Sequence, residues 1–293
     1  MKNLKNILVT GANGQLGKCI QDVVKKYPQH TFHFKSSKDL DITNNTQVEN
    51  LFNKEKYDYC INCAAYTAVD RAEEDEQNAF LVNAEGVKFL AEACKSFETV
   101  LIHISTDFVF DGTKKSPYVE NDKPNPINVY GVSKLKGEEY IKSILEKYYI
   151  IRTSWVYSEY GNNFVKTMLR LGRERDELSV VNDQFGSPTY AGDLAHVILE
   201  IIASKKENYG IYHYSNEGII NWHDFATEIF KVAVLSINIS AISTDKYPTP
   251  AKRPLYGKLD NTLLHSKFNS PPIHWKKSLT DLLILKKFKK QHL

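Results

Sequence analysis

Short apolar runs alternate with amphipathic stretches through the first half of the chain. Asn6-Ile7-Leu8-Val9-Thr10 ends at a glycine. Residues 15–27 then carry Leu16, Cys19, Ile20, Val23 and Val24 at helical spacing. Thr31–Lys35, 59–64, 99–104 and 149–152 read as further strands. Between them, Asn45–Lys54, 76–97 and 129–145 read as helices. Near-continuous apolar strands separated by helices predict a parallel sheet covered on both faces. Right-handed crossovers would make it a doubly wound, Rossmann-like α/β fold.

After Trp155 the pattern becomes less regular. Residues 163–173, Ala191–Ser204 and Trp222–Ala233 still read as helices, and Pro248, Pro250, Pro254, Pro271 and Pro272 break the chain near its end. The expected division is a dinucleotide-binding domain over 1–155, with returning segments from about 178–215, and a smaller, mainly substrate-binding portion over 156–293. No internal repeat is visible.

Composition narrows the function. The 293 residues are 42% hydrophobic and 25% charged, which suits a globular protein. With 38 basic and 35 acidic residues the net charge is only +3, so nucleic acid is not an expected partner. The basic run Lys286-Lys287-Phe288-Lys289-Lys290 reads as a solvated tail. No apolar stretch approaches the roughly 20 residues that span a bilayer. The N-terminus leads directly into a strand without a signal-peptide pattern, so a cytoplasmic protein is expected. Cys60 and Cys63 have C-x-x-C spacing but no second pair, and read as two small buried thiols on opposite strand faces. The nine histidines are scattered without ligand spacing, so no metal is expected.

Gly11-Ala12-Asn13-Gly14-Gln15-Leu16-Gly17 joins the first strand to the first helix. Glycines there let the backbone approach a diphosphate, and the helix N-terminus offers free N–H groups. An ordinary strand-to-helix turn uses the same residues, but the position after an N-terminal apolar strand points to a dinucleotide. An acid ending the second strand would select NAD. Here that strand runs into Lys35-Ser36-Ser37-Lys38, with Asp39 and Asp41 later. Lys35, Ser36 and Lys38 suit a 2′-phosphate, so NADPH is the expected cofactor, with NADH possible.

Tyr130 and Lys134 lie one helical turn apart on one face. A cation beside a phenol favours the phenolate, and a tuned tyrosine can protonate an alkoxide. The spacing alone is weak, because Tyr and Lys are common on helix surfaces. It gains weight from the glycine loop and from Ser105-Thr106-Asp107 at the end of an apolar run.

Taken together these features resemble the extended short-chain dehydrogenase/reductase superfamily. The likeness is greatest to its branch that reduces dTDP-4-dehydro-L-rhamnose. It covers most of the chain through Asp39-Leu40-Asp41-Ile42-Thr43, Asn62-Cys63-Ala64-Ala65-Tyr66-Thr67-Ala68-Val69-Asp70 and Ser105-Thr106-Asp107-Phe108-Val109-Phe110-Asp111-Gly112. It continues through Tyr130-Gly131-Val132-Ser133-Lys134, Arg152-Thr153-Ser154-Trp155-Val156-Tyr157, Gln184-Phe185-Gly186-Ser187-Pro188-Thr189 and Thr249-Pro250-Ala251-Lys252-Arg253-Pro254.

The resemblance implies hydride delivery to C4 of a 4-keto-6-deoxy sugar linked to dTDP. It implies that Tyr130 donates the proton, that Lys134 lowers the tyrosine pKa and holds the nicotinamide ribose, and that Thr106 fixes the ketone oxygen. Gly11, Gly14, Gln15, Leu16 and Gly17 are implied around the diphosphate, Asp41 and Ile42 at the adenine, and Ala64, Ala65 and Tyr66 along the cofactor. Val69, Asp70, Asp107 and Trp155 are implied at the sugar nucleotide, with Arg253 on its diphosphate.

One departure concerns metal. Some relatives bind magnesium through a glutamate on the first helix and dimerise there, but Cys19 stands at that position. Neither feature is expected here, although a homodimer stays possible. Two other functions stay open. Dehydratases and epimerases share the superfamily, but dehydratases place Asp-Glu after the threonine, where this chain has Asp107-Phe108. A non-catalytic, cofactor-binding regulatory subunit also resembles this branch.

Overall fold

The computed structural model describes residues 4–268 and 270–285. The basic run 286–290 lies outside the described residues. Six parallel strands form the main sheet. They are β1 (Asn6–Thr10), β2 (Thr31–Lys35), β3 (Tyr59–Asn62), β4 (Val100–Thr106), β5 (Tyr148–Thr153) and the late strand Gly210–His213. From one edge the order is Gly210–His213, β5, β4, β3, β1, β2. The helices are α1 (Gln15–Val23), α2 (Asn45–Lys54), α3 (Val69–Ala72), α4 (Glu76–Phe80), α5 (Gly86–Ser96) and α6 (Val129–Ile144).

Strand alternation assigns the two faces. Ile7, Val9, Ile61, Ile102 and Ile151 enter one core, which α1 and the helix Ala191–Ser204 cover. Leu8, Cys60, Leu101 and Ile150 enter the other, with Val48 and Phe52 of α2 and Leu90 of α5. Apolar burial on both faces accounts for the unbroken hydrophobic strands. Cys60 and Cys63 do serve opposite faces, but Cys63 is half-buried rather than enclosed.

Three boundaries differ from the sequence reading for local reasons. The first helix stops at Val23 and tightens into a 3-10 turn over Val24–Lys26. Pro28 follows, and the residue before a proline avoids helical backbone. β3 ends at Asn62 rather than Ala64, because the Asn62 Oδ1 takes the Ala64 N–H at 3.1 Å. The helix expected over 76–97 is interrupted by a π-type segment, Leu81–Glu85. There the Asn83 backbone approaches α6 so closely that a Cβ on Gly137 would lie 2.2 Å from the Asn83 carbonyl oxygen.

A third apolar cluster lies in the later part of the chain, built on Val165, Met168, Phe225, Ile229, Trp275 and Leu279. The strands Glu177–Val181 and Asn238–Ile242 pair there in parallel. The chain order turns back between β1 and β3, with β2 on one side and β3 on the other. Ligands of open α/β sheets bind at such a switch point, beyond the carboxyl ends of the strands.

Candidate active site

The glycine loop occupies the carboxyl end of β1. Gly11 has φ +64°, and a Cβ there would lie 2.6 Å from the Ala64 nitrogen. A Cβ on Gly17 would lie 2.5 Å from the Gly11 oxygen. The loop is therefore folded tightly against the segment that follows β3. Gly14 is the N-cap of α1 and offers no side-chain cap, and the first turn carries no acid. The free N–H groups and the positive helix end form a cradle for an anion. Gln15 points elsewhere, accepting from Ser158 Oγ at 3.0 Å and Asn163 Nδ2 at 2.9 Å. Leu16 is core, so only its backbone can serve the loop.

At the end of β2, the Ser36 N–H and hydroxyl both donate to Asp39 Oδ2, at 2.9 and 2.6 Å. Those bonds hold the Asp39 carboxyl below its ordinary range. Asp41 accepts from the Thr43 N–H and hydroxyl, and Ile42 is buried against Gly86. Beyond β3, the Tyr66 N–H donates to Asn83 Oδ1 at 2.9 Å, and Asn83 Nδ2 donates to the Tyr66 carbonyl and to Ser133 Oγ. Buried Asn83 thus ties the Ala64-Ala65-Tyr66 loop to α6.

β4 carries Ser105 and Thr106 to its end, and a 3-10 turn follows over Asp107–Val109. The Thr106 hydroxyl accepts the Phe108 N–H and donates to Asp107 Oδ1, both at 3.1 Å. α6 begins at an Asn128 cap whose Oδ1 accepts the Gly131 N–H at 2.8 Å. Gly131 passes so close to the Phe108 carbonyl that a Cβ would lie 2.2 Å from its oxygen. This close docking brings Tyr130 near Thr106, whose hydroxyl acts to lower the phenol's pKa.

The structure corrects one electrostatic expectation. Lys134 does not hold the Tyr130 pKa down. Burial pushes the phenol up to about 12, against the opposing influence of Thr106 and with a further rise from Asp107. The Lys134 Nζ instead donates to the Ile104 carbonyl at 2.7 Å and meets His103 Nε2 at 3.2 Å. Burial carries Lys134 down to about 8, although Glu138 and Cys63 act in the opposite direction. Asp107 is buried too, and desolvation raises its carboxyl to about 7.

Polar side chains that the sequence reading passed over support this corner. Thr10, Asn62 and His103 are register partners on β1, β3 and β4. Arg152 on β5 faces Ser105 on one neighbour strand and His213 on the other. Arg152 donates to both Glu138 oxygens, from Nε at 2.9 Å and from an Nη at 2.6 Å. Ser105 Oγ adds a third bond to Glu138 at 2.6 Å. The available signal was a polar residue inside an apolar run, as Asn62 and His103 are.

The later part of the chain closes over the same edge. Asp107, Phe108, Trp155, Trp222 and Arg253 line a small cavity of about 40 Å³. Trp155 takes φ +48° and stacks on Trp222, with ring centres 3.5 Å apart. Arg253 and Asp70, expected separately at the sugar nucleotide, are bound to each other. The guanidinium forks onto Asp70 at 2.8 and 2.7 Å. Arg253 also borders a larger cleft of about 870 Å³, lined by Leu178, Val180, Trp222, Ile242 and Tyr247 among others. Val69 lies at the start of α3, next to Asp70.

Over residues 5–287 the chain matches the family described as RmlD substrate binding domain. It belongs to that family. The chain is 42% identical to the dTDP-4-dehydrorhamnose reductase of Aggregatibacter actinomycetemcomitans, covering 95% of this chain and 98% of the relative. Its fold is similar to that of the Clostridium acetobutylicum dTDP-4-dehydrorhamnose reductase, with TM-score 0.92, 45% identity, and 96% and 99% of the two chains covered. It is equally similar to the Bacillus anthracis dTDP-4-dehydrorhamnose reductase in complex with NADP, with TM-score 0.91, 42% identity and the same coverage.

Among the described residues no helix is long and apolar enough to cross a membrane. Among the same residues, no three His, Cys, Asp or Glu side chains cluster as metal ligands. Cys19 is buried in the core between α1 and the sheet.

Proposed function

We propose that this protein reduces the C4 ketone of dTDP-4-dehydro-L-rhamnose to give dTDP-L-rhamnose, with NADPH as the favoured cofactor and NADH accepted. The observation that carries this reading is the meeting of Thr106 and Tyr130 beside buried Lys134 at the carboxyl edge of the sheet. The glycine cradle lies at the carboxyl end of the same sheet, and Trp222 and Arg253 line both the small cavity beside Asp107 and the larger cleft. Membership of the family and the named activities of its relatives support the same reading.

The cradle fits a dinucleotide. Gly11 and Gly17 let the loop fold so tightly that a Cβ would meet backbone, and the α1 N-terminus has no side-chain cap. Gly11, Gly14, Gln15, Leu16 and Gly17 hold the diphosphate through their backbone. Asp41 and Ile42 edge the adenine, and Ala64, Ala65 and Tyr66 run along the cofactor. When bound, the reduced nicotinamide supplies the hydride for C4.

This chain's residues supply the rest. Thr106 donates a hydrogen bond to the ketone oxygen and fixes its position. Tyr130 delivers the proton to that oxygen as charge develops on it. Tyr130 is protonated before the reaction and so has a proton to give as the alkoxide forms. Lys134 holds the nicotinamide ribose and orients Tyr130. Val69, Asp70, Asp107 and Trp155 contact the sugar nucleotide, and Arg253 leaves Asp70 for its diphosphate, a target its fork also fits. The 1–155 portion with its returning segments binds cofactor, and the 156–293 portion mainly binds substrate.

Purified protein, NADPH and dTDP-4-dehydro-L-rhamnose are expected to consume reduced nicotinamide only when all three are present. In steady-state kinetics, kcat/KM for NADPH should equal or exceed that for NADH. A large preference for NADH would overturn the assignment of Lys35, Ser36 and Lys38 to a 2′-phosphate. No consumption with either cofactor would overturn the reductase reading itself.

A further inference from the structure

The hydrogen bonds around Lys134 can be followed donor by donor, and they fix protonation states. Asn62 Oδ1 receives the Ala64 backbone N–H at 3.1 Å. A backbone N–H can only donate, so that atom of Asn62 is the carbonyl oxygen. It also receives the Thr10 hydroxyl at 2.6 Å. The other end of the Asn62 amide is therefore its NH2 group, which lies 3.0 Å from His103 Nδ1. An NH2 group has no lone pair to offer, so His103 Nδ1 must accept and carries no hydrogen. Neutral His103 then bears its proton on Nε2.

That Nε2–H faces the Lys134 Nζ at 3.2 Å. An ammonium has three N–H donors and no acceptor, so two donors would oppose each other. A neutral amine resolves the conflict. Its lone pair accepts from His103, one N–H goes to the Ile104 carbonyl at 2.7 Å, and one N–H remains for a ligand. We propose that Asn62 and His103 are positioning residues that set the protonation of Lys134: Asn62 locks the His103 tautomer, and His103 donates to the neutral Lys134 amine. This deepens the reductase reading, in which Lys134 serves the cofactor and the tyrosine.

The groups facing Lys134 from the packed elements are few. His103 comes from β4, Cys63 from the segment after β3, and Glu138 and Tyr130 from its own helix. Glu138 is already committed to Arg152 and Ser105. Burial of Lys134 acts in the same direction as the His103 contact. A proton taken from solvent turns the amine into an ammonium, which forfeits the bond from His103. The ammonium is then free to turn toward Tyr130, its neighbour one turn along α6.

Asn62→Asp tests this with almost no change of shape. The carboxylate still accepts from Ala64 and Thr10, but its second oxygen now demands a hydrogen from His103 Nδ1. His103 must switch tautomer and present a bare Nε2 to Lys134, which favours the ammonium. Ring ¹⁵N shifts of labelled histidine read the tautomer, with His103 assigned by its loss in His103→Gln. The Cε shifts of labelled lysine read the Lys134 titration.

The wild-type protein is expected to show the Nε2–H tautomer, with the His103 Nε2 resonance moving through the same midpoint as Lys134. Asn62→Asp should show the Nδ1–H tautomer and a Lys134 pKa raised by about one unit or more, roughly tenfold in proton affinity. A wild-type Nδ1–H tautomer or imidazolium would overturn the proposal. So would a His103 resonance that ignores the Lys134 titration, or a Lys134 pKa that stays put when the tautomer switches. Should the variant not fold, the two wild-type measurements decide alone. The spectra need no substrate, so their outcome is separate from whether the sugar nucleotide is reduced.

Discussion

Tyr130→Phe is expected to lower turnover by about 10²–10⁴-fold, the range of a positioned general acid. The phenol oxygen is the only atom removed. The ring keeps its edge-to-face contact with Phe108, at 5.8 Å between centres. The glycine cradle is distant in the chain and rests on Gly11, Gly17 and Ala64 rather than on Tyr130. Cofactor affinity should therefore change little, and the loss should appear in kcat and kcat/KM together. Binding titrations and steady-state kinetics on the same preparation separate the two effects. An enzyme that keeps its full kcat without this hydroxyl must draw its proton from another group, and buried Asp107 is a carboxyl close enough to act on the phenol.

The second large effect is on stability. Glu138 and Arg152 are respectively 0% and 1% exposed, and they are joined by a two-pronged ion pair. Removing one partner of such a pair strands a charge without water, at a cost of about 3–5 kcal/mol. Glu138→Ala should lose about that much in urea unfolding, because Arg152 keeps His213 at 3.5 Å, the Phe110 ring and the more distant charge of Glu120 but no directly bonded carboxylate among the described residues. A double variant, Glu138→Leu with Arg152→Met, should recover most of the loss, since well-packed apolar groups often replace a buried pair without penalty. A single variant that unfolds within about 1 kcal/mol of the parent would show that water or rearrangement satisfies Arg152, and that the pair is not a strut of the site.

How far the sequence revealed this molecule depended on the distance between partners. The central strands β1, β3, β4 and β5 were legible because they are apolar on both faces, which a buried parallel sheet requires, whereas the edge strand Gly210–His213 was not read. The glycine loop was legible because its function lies in seven consecutive residues. Tyr130 and Lys134 were legible because a helix repeats locally. What stayed hidden were relations set by sheet register. Thr10, Asn62 and His103 are far apart in the chain and become neighbours only when β1, β3 and β4 align. Glu138 on α6 meets its partner Arg152 only because β5 brings the arginine to it.

The partners of Lys134 stayed hidden for the same reason. Spacing placed it beside Tyr130, and His103 and the Ile104 carbonyl, both from β4, hold its Nζ. Arg253 shows the reverse case. A phosphate-seeking guanidinium was legible, while its partner Asp70 came from α3, across the chain.

Transfer of label from cofactor to sugar tests the central claim most directly. Turnover of dTDP-4-dehydro-L-rhamnose with NADPH deuterated at the transferable C4 position of the nicotinamide should place deuterium on C4 of the product sugar. The hydroxyl proton should come from solvent by way of Tyr130. Product without deuterium at that carbon, or label at any other carbon, would contradict a reductase acting at this ketone.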